Sequence, residues 1–219
     1  MIKLVKIFLR KAGYKLVRYE SLQYNKRALD FYDVMKAINS KLVENSITGV
    51  FVECGFGYGR SFAVMSHFSQ QSNRKIYGID SFQGFPSIHA FDKSHRNAKK
   101  NEWSVINLHE ANRMVKNLGL FDANKNFELI KLVFDSKTIN PIPKEKIALL
   151  HIDLDLYEGY KYSLEIFWDQ IQTGGIILFD EYNEIEWPGA TKAVNDFLHK
   201  HSLTKQIRVI AGKYCLIKE

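Results

Sequence analysis

The chain has 219 residues, 46% of them hydrophobic, which suits one domain with a sizeable core. No apolar run approaches the ~20 residues a membrane-spanning helix needs. Two cysteines, Cys54 and Cys215, lie without paired spacing, which excludes a disulfide framework or zinc site and fits a reducing cytoplasm; the net charge of +7 permits an acidic partner.

Residues 1–25 are expected to form a basic helical arm. Apolar residues there alternate with Lys3, Lys6, Arg10, Lys11, Lys15 and Arg18, and the segment lacks the apolar core and cleavage site of a secretory signal. Such an arm either meets a membrane, nucleic acid or anionic substrate, or packs on the domain or on a second subunit. The expectation is the packed arm, with a homodimer as one outcome.

The main domain is expected over 26–219. A helix is predicted from about Lys26 to Val43, with Phe31, Val34, Met35, Ile38 and Leu42 on one face. Val50, Phe51 and Val52 then read as a short buried strand. It runs into Glu53-Cys54-Gly55-Phe56-Gly57-Tyr58-Gly59-Arg60-Ser61, and a helix follows from Arg60 to about Gln70. Glycines at alternate positions let a ligand approach the backbone closely. The spacing is G-x-G-x-G, with an acid two residues ahead, and differs from the dinucleotide fingerprint. It resembles the first motif of class I S-adenosylmethionine-dependent methyltransferases. The plain alternative is a structural turn without a ligand.

A second strand, Lys75 to Asp80, ends in an acid 25 residues after Gly55. At that place in a doubly wound sheet a carboxylate accepts from ribose hydroxyls. Otherwise Asp80 caps the next segment. The polar, irregular stretch that follows is expected to be a lid over the substrate, at about 85–106. A helix is predicted over Asn107–Leu118, stopped by Gly119, and a third strand over Phe127–Phe134. Pro141-Ile142-Pro143 reads as an extended connector. The fourth strand is the apolar run Ile147–Ile152, followed by a helix to about Gln172 and a fifth strand over Ile176–Phe179. Pro188 opens a last helix, and Gln206 to Ile217 closes the chain as a hairpin around Gly212. The expected fold is therefore α/β: a doubly wound, Rossmann-like sheet of seven strands, mostly parallel, with an antiparallel C-terminal hairpin.

Strand four runs into Asp153-Leu154-Asp155 and strand five into Asp180-Glu181, 27 residues after Asp153. Parallel strands open on one edge, so these acids should converge there. Their repulsion suits a hard divalent cation with oxygen ligands. Asp153, Asp180 and Glu181 are the expected Mg²⁺ (or Mn²⁺) ligands, with Asp155 as alternate or neighbour. The alternative is helix capping and pairing with Lys or Arg.

Several stretches together resemble the macrocin O-methyltransferase family over about Arg27 to the end. They are Asp80-Ser81-Phe82-Gln83-Gly84-Phe85-Pro86, Leu149-Leu150-His151-Ile152-Asp153-Leu154-Asp155-Leu156-Tyr157-Glu158, Gly174-Gly175-Ile176-Ile177-Leu178-Phe179-Asp180-Glu181-Tyr182, Pro188-Gly189 and Lys192-Ala193-Val194-Asn195-Asp196-Phe197. The resemblance implies S-adenosylmethionine, a divalent metal, and a sugar hydroxyl on a natural product or surface saccharide as acceptor. Glu53, Gly55, Phe56, Gly57, Gly59, Arg60 and Ser61, with Asp80, Ser81, Phe82 and Asp153, would hold the cofactor. This chain departs from the family in having Asp180-Glu181 for Asp-Asp, and in lacking a glycine near Leu132 and Val133. Asp135 is then left for the adenine.

A sugar hydroxyl also needs a base, and the candidates are His95, His89 and Asp155. His151, inside strand four, reads as a satisfied core residue. The rivals are a metal-independent methyltransferase acting on nucleic acid or protein, a nicotinamide-dependent enzyme, and a binding module without catalysis. The first lacks an aromatic-interleaved basic face or RNA-binding motif. The second is disfavoured by the glycine spacing, and the third by the acid pairs.

Overall fold

The computed structural model describes residues 21–117, 126–142, 144–204 and 206–219. Residues 1–20 of the expected arm, Gly119 and Pro143 lie outside these. Among the described residues, no helix is long and apolar enough to cross a membrane.

Seven strands form one sheet. They are β1 (Val50–Cys54), β2 (Ile76–Asp80), β3 (Phe127–Lys131), β4 (Ile147–Ile152), β5 (Ile171–Phe179), β6 (Ile207–Ile210) and β7 (Lys213–Ile217). Their spatial order is β3-β2-β1-β4-β5-β7-β6. The first five are parallel, and β7 pairs antiparallel with both β5 and β6. The order reverses between β1 and β4, so their carboxyl ends flank a crevice, where a doubly wound sheet binds its ligands.

Among the described residues, five α-helices cover the two faces: α1 (Ser21–Glu44), α2 (Arg60–Gln71), α3 (Leu108–Asn117), α4 (Tyr157–Phe167) and α5 (Pro188–Lys200). Strand side chains alternate between the layers. Phe51, Leu149 and Leu178 pack with Val34, Met35, Ile38 and Leu42 of α1 and Phe62 and Met65 of α2. Val52, Leu150 and Ile177 pack with Leu164 and Phe167 of α4 and Ala193, Val194 and Phe197 of α5. Both central strands are buried along their whole length, which explains their apolar sequences. Each large apolar side chain so buried contributes roughly 1.5–3 kcal/mol.

Four boundaries differ from the sequence-based expectation, and one is that the helix expected to about Gln172 ends at Phe167. The helix expected from Lys26 begins at Ser21. Strand β3 stops at Lys131, because the Leu132 amide turns to the Asp80 carbonyl (2.8 Å) and leads residues 132–134 along the sheet edge. Strand β5 begins at Ile171, five residues early. Its pairing with β4 jumps from Ile147↔Ile171 to Leu149↔Ile176, so Gly174 and Gly175 are taken up as a bulge.

The glycine loop crosses directly over the end of β4. Gly55 has φ +98°, and a Cβ there would overlap the Asp153 carbonyl oxygen. Gly57 has φ +47° but open space around it. Gly57→Ala should therefore cost about 1–2 kcal/mol, the penalty of left-handed backbone alone. Gly55→Ala should cost well above that, on the order of 4 kcal/mol, because the backbone itself must shift. Urea denaturation of the two variants checks the order.

Candidate active site

The carboxyl edge of the sheet opens into a cavity of about 820 Å³. Its walls come from the glycine loop, the turn after β2, residues 132–134 after β3, the ends of β4 and β5, and the start of β7. Gly55, Phe56, Gly57, Arg60, Ser61, Asp80, Ser81, Asp153, Asp155, Asp180 and Glu181 all line it.

Asp80 ties the cavity floor together. Its Oδ2 accepts from the amides of Phe56 (2.7 Å) and Gly57 (3.2 Å), and its Oδ1 from the Phe82 amide (2.7 Å). The capping role is thus present, and it joins the ends of β1 and β2. Phe82 belongs underneath: it is 7% exposed, has φ +51° and packs against Phe56 with the rings tilted, 5.8 Å apart. Gly59 is the N-cap of α2, where a Cβ would strike Phe56 and Met114.

Glu53 does not reach the cavity wall. It is fully buried on β1, beside His151 of β4 in the sheet register, and its Oε1 lies 3.1 Å from His151 Nδ1. Burial raises the pKa of Glu53 despite this contact. Burial alone would lower that of His151, but the hydrogen bond and charge of Glu53 outweigh it and raise the net value. His151 Nε2 has no hydrogen-bond partner, although His151 lines the cavity. Glu53 Oε2 has no well-formed bond either, though the Ser61 hydroxyl is close enough to lower the acid's pKa. His151 is therefore a half-satisfied wall residue, where the sequence suggested a satisfied core residue.

Oxygens of Asp153, Asp155 and Glu181 lie within 4.8 Å of one another. Burial, then the neighbouring charge of Asp180, pushes Asp153 up to about 7. Asp155 and Glu181 are driven well above the usual carboxylate range, by burial first and the Asp153 charge next. Tyr160 Oη binds Glu181 Oε2 at 2.5 Å, and the Asp155 amide donates to the same oxygen at 3.3 Å. Asp155 holds φ +61°, which turns it back toward β5. A set of hard oxygen donors held close fits a divalent cation.

Asp180 is not in this convergent group. Its Oδ1 accepts from Lys213 Nζ at 2.6 Å. Burial would raise its pKa, but the Lys213 charge and hydrogen bond bring it below the ordinary value. Of the expected ligands, the structure thus brings together Asp153 and Glu181, and it sets Asp155 where Asp180 was expected.

The stretch expected to be a lid is an ordered strap. The Phe85 amide donates to the Glu102 carbonyl and the Asn101 amide to that of Phe85, both at 2.9 Å. Arg96 pairs with Glu102 and lies over the Trp187 ring at 4.2 Å. Asp92, 4% exposed, accepts the Tyr157 amide at the start of α4 (2.8 Å). Neither lid histidine lines the cavity. His89 Nδ1 accepts from the Phe91 amide (3.2 Å), and its ring packs against Phe91 and Tyr157. His95 stands outside, 66% exposed and 3.9 Å from Glu186. Asp155 alone of the three candidate bases lines the cavity.

Asp135 also faces away. It accepts from the Lys137 amide (2.8 Å) and the Thr138 hydroxyl (3.2 Å), closing its own turn, while Leu132, Val133 and Phe134 form the wall. Sequence reasoning missed Lys213, Arg96 and the wall function of His151. The one available signal was the period of two in β4, which sets His151 on the same face as Asp153.

These pKa shifts have a consequence for stability. The fold raises Asp153 from 3.8 to about 7, so between about pH 4 and pH 7 it binds more protons than the unfolded chain. Stability falls as pH rises through that window. The raised His151 contributes in the same sense, and is lost as pH rises through its folded value. Asp180, lowered, loses its contribution only in acid. Metal-free protein should therefore melt about 5 °C or more lower at pH 8 than at pH 5. Scanning calorimetry across that range checks the sign.

The family model for macrocin O-methyltransferase (TylF) matches residues 25–216. Among curated relatives, the chain is 24% identical over 178 residues to the 8-demethyl-8-(2,3-dimethoxy-alpha-L-rhamnosyl)-tetracenomycin-C 4'-O-methyltransferase of Streptomyces olivaceus, covering 78% of this chain and 66% of that one. It is also 24% identical over 176 residues to the demethyldecarbamoylnovobiocin O-methyltransferase of Streptomyces niveus, covering 77% and 65%. The chain thus spans about two thirds of the length of these relatives. The crystal structure of the calicheamicin methyltransferase CalS11 superposes with a TM-score of 0.75 at 23% identity, over 98% of this chain and 91% of that one. This likeness shows the shared class I methyltransferase fold, and the family match extends over nearly the whole described chain. The chain belongs to the macrocin O-methyltransferase (TylF) family.

Proposed function

We propose that this protein is an S-adenosylmethionine-dependent O-methyltransferase that uses Mg²⁺ or Mn²⁺ and methylates a hydroxyl of a sugar or glycoside. The observation that carries the reading is that the glycine loop and the acids Asp153, Asp155 and Glu181 open on one cavity, in a chain of this family. The acceptors named for the curated relatives, tetracenomycin and novobiocin precursors, support a natural-product or related saccharide substrate.

The loop Gly55–Ser61 and the Asp80 carboxylate would hold the cofactor, with residues 132–134 beside its base. Asp80 already accepts three amides, but a carboxylate offers about four lone-pair sites and has room for a hydroxyl. When bound, the cofactor supplies a methyl group on a sulfonium. Asp153, Asp155 and Glu181 would hold the metal, which supplies Lewis acidity that makes a nearby hydroxyl more acidic. Asp155 is the base we assign: its carboxylate lines the cavity, and burial beside the Asp153 charge raises its affinity for a proton. Trp187 and Phe85, in edge contact at 5.9 Å, give the acceptor an apolar wall. The remaining task of the protein is orientation, and the strap shields the site from water.

The cavity charge argues against a nucleic-acid acceptor. Its walls bear ten carboxylates (Asp30, Asp80, Asp92, Asp153, Asp155, Glu158, Asp180, Glu181, Glu184 and Glu186) against Arg60, Arg96 and Lys213. A polyanion would be repelled there, although the whole chain is basic. The expected homodimer, through an arm of which residues 1–20 lie outside the described residues, stays part of the proposal, tested by sedimentation.

Calorimetric titration of S-adenosylhomocysteine should show binding in excess chelator, weakened about tenfold or more by Asp80→Ala. Absence of binding to the unmutated chain would end the methyltransferase reading. Millimolar Mg²⁺ should restore much of the thermal stability lost at pH 8 and change little at pH 5, where the acids carry protons. An equal effect at both values, or retention of the pH 8 effect in Asp153→Ala, would place the cation elsewhere.

A further inference from the structure

Lys213 opens β7, which lies beside β5 in the sheet, and its side chain crosses to the tip of that neighbour. Nζ donates to Asp180 Oδ1 at 2.6 Å and to the Asp180 carbonyl at 3.1 Å. The contact is fixed by the fold. Cys215 stands opposite Leu178 in the antiparallel register, so Lys213, two residues earlier, comes opposite Asp180, two residues later. Lys213 lines the same cavity as Asp153, Asp155 and Glu181. Its side chain is 33% exposed and that of Asp180 34%, so water screens the pair only in part.

Asp180 directly precedes Glu181, and it lies close enough to Asp153 that their charges interact. It would complete a cation's shell with the three convergent acids, yet its Oδ1 already holds the Lys213 ammonium. An ammonium held there does two things to an arriving dication: it occupies a ligand, and it repels the incoming charge.

We infer that Lys213 is an internal cation that competes with the divalent metal for Asp180 and so weakens metal binding in this chain. The inference rests on the metal-dependent reading above. Lys213 thereby acts as a positioning residue. It neutralises Asp180 in the metal-free protein, and it must release Oδ1 before a metal can take that oxygen. The residue would set the metal concentration at which the site fills, without touching the reacting atoms.

The test is a Mn²⁺ titration of the full chain, saturated with S-adenosylhomocysteine, with free Mn²⁺ read from its electron paramagnetic resonance signal. Three variants are compared with the unmutated chain: Lys213→Met, Lys213→Gln and Lys213→Arg. Lys213→Gln retains a donor to Asp180 without the charge, and serves if the Met variant does not fold. The neutral variants should bind Mn²⁺ about tenfold or more tightly, and Lys213→Arg should stay within about twofold of the parent. Binding of Mn²⁺ by the neutral variants alone would support the inference most strongly. Unchanged or weakened binding in a folded neutral variant, with the parent still binding, would overturn the competition and leave the metal site standing. Failure of every protein to bind Mn²⁺ would overturn the metal reading and the competition together.

Discussion

Three carboxylates converge at the carboxyl ends of β4 and β5, with Asp180 and the buried Glu53 close by, and the site depends on how these charges are settled. Leaving such groups ionised, buried and unpaired would exceed the stability of a whole domain. Each acid is therefore answered by a different device. Glu53 leans on His151 one layer below the cavity. Asp180 is held by Lys213 from the neighbouring antiparallel strand. Glu181 meets Tyr160 of α4 at 2.5 Å and the Asp155 amide. Among the described residues, Asp153 and Asp155 have no salt-bridge partner, and burial holds them toward their protonated forms. The same arrangement lowers the stability of the protein as these acids ionise.

The neutral parts of the site serve that arrangement. Gly55 lets the loop after β1 cross the β4 end without a side chain between them. Asp80 then fastens the loop to β2 through three amides. On the opposite rim, Asp92 binds the first amide of α4 and leaves no room for a side chain on Gly189 of α5. Arg96 spans Glu102 and the Trp187 face. The strap is thus anchored at several points; His89 caps a turn, and His95 stays in solvent.

The central strands, the glycine loop, the helix faces and the order of elements were determined by the sequence itself. These are local patterns: continuous apolar runs for strands buried on both sides, a period of 3.6 for helices, and glycine where backbone must pass backbone. The motifs at Asp80, Asp153 and Asp180 also pointed correctly to one edge, because parallel strands end together. Tertiary structure alone decided which of those acids converge and which are neutralised. Lys213 follows Asp180 by 33 residues, and His151 follows Glu53 by 98. Neither pairing leaves a periodic trace, since each arises from strand register and not from neighbouring residues. The same holds for Asp135, which the chain direction after β3 turns from the cavity into its own turn. Chemical type and strand end are written along the chain. The few ångströms that separate a free carboxylate from one already taken are set only when the sheet closes.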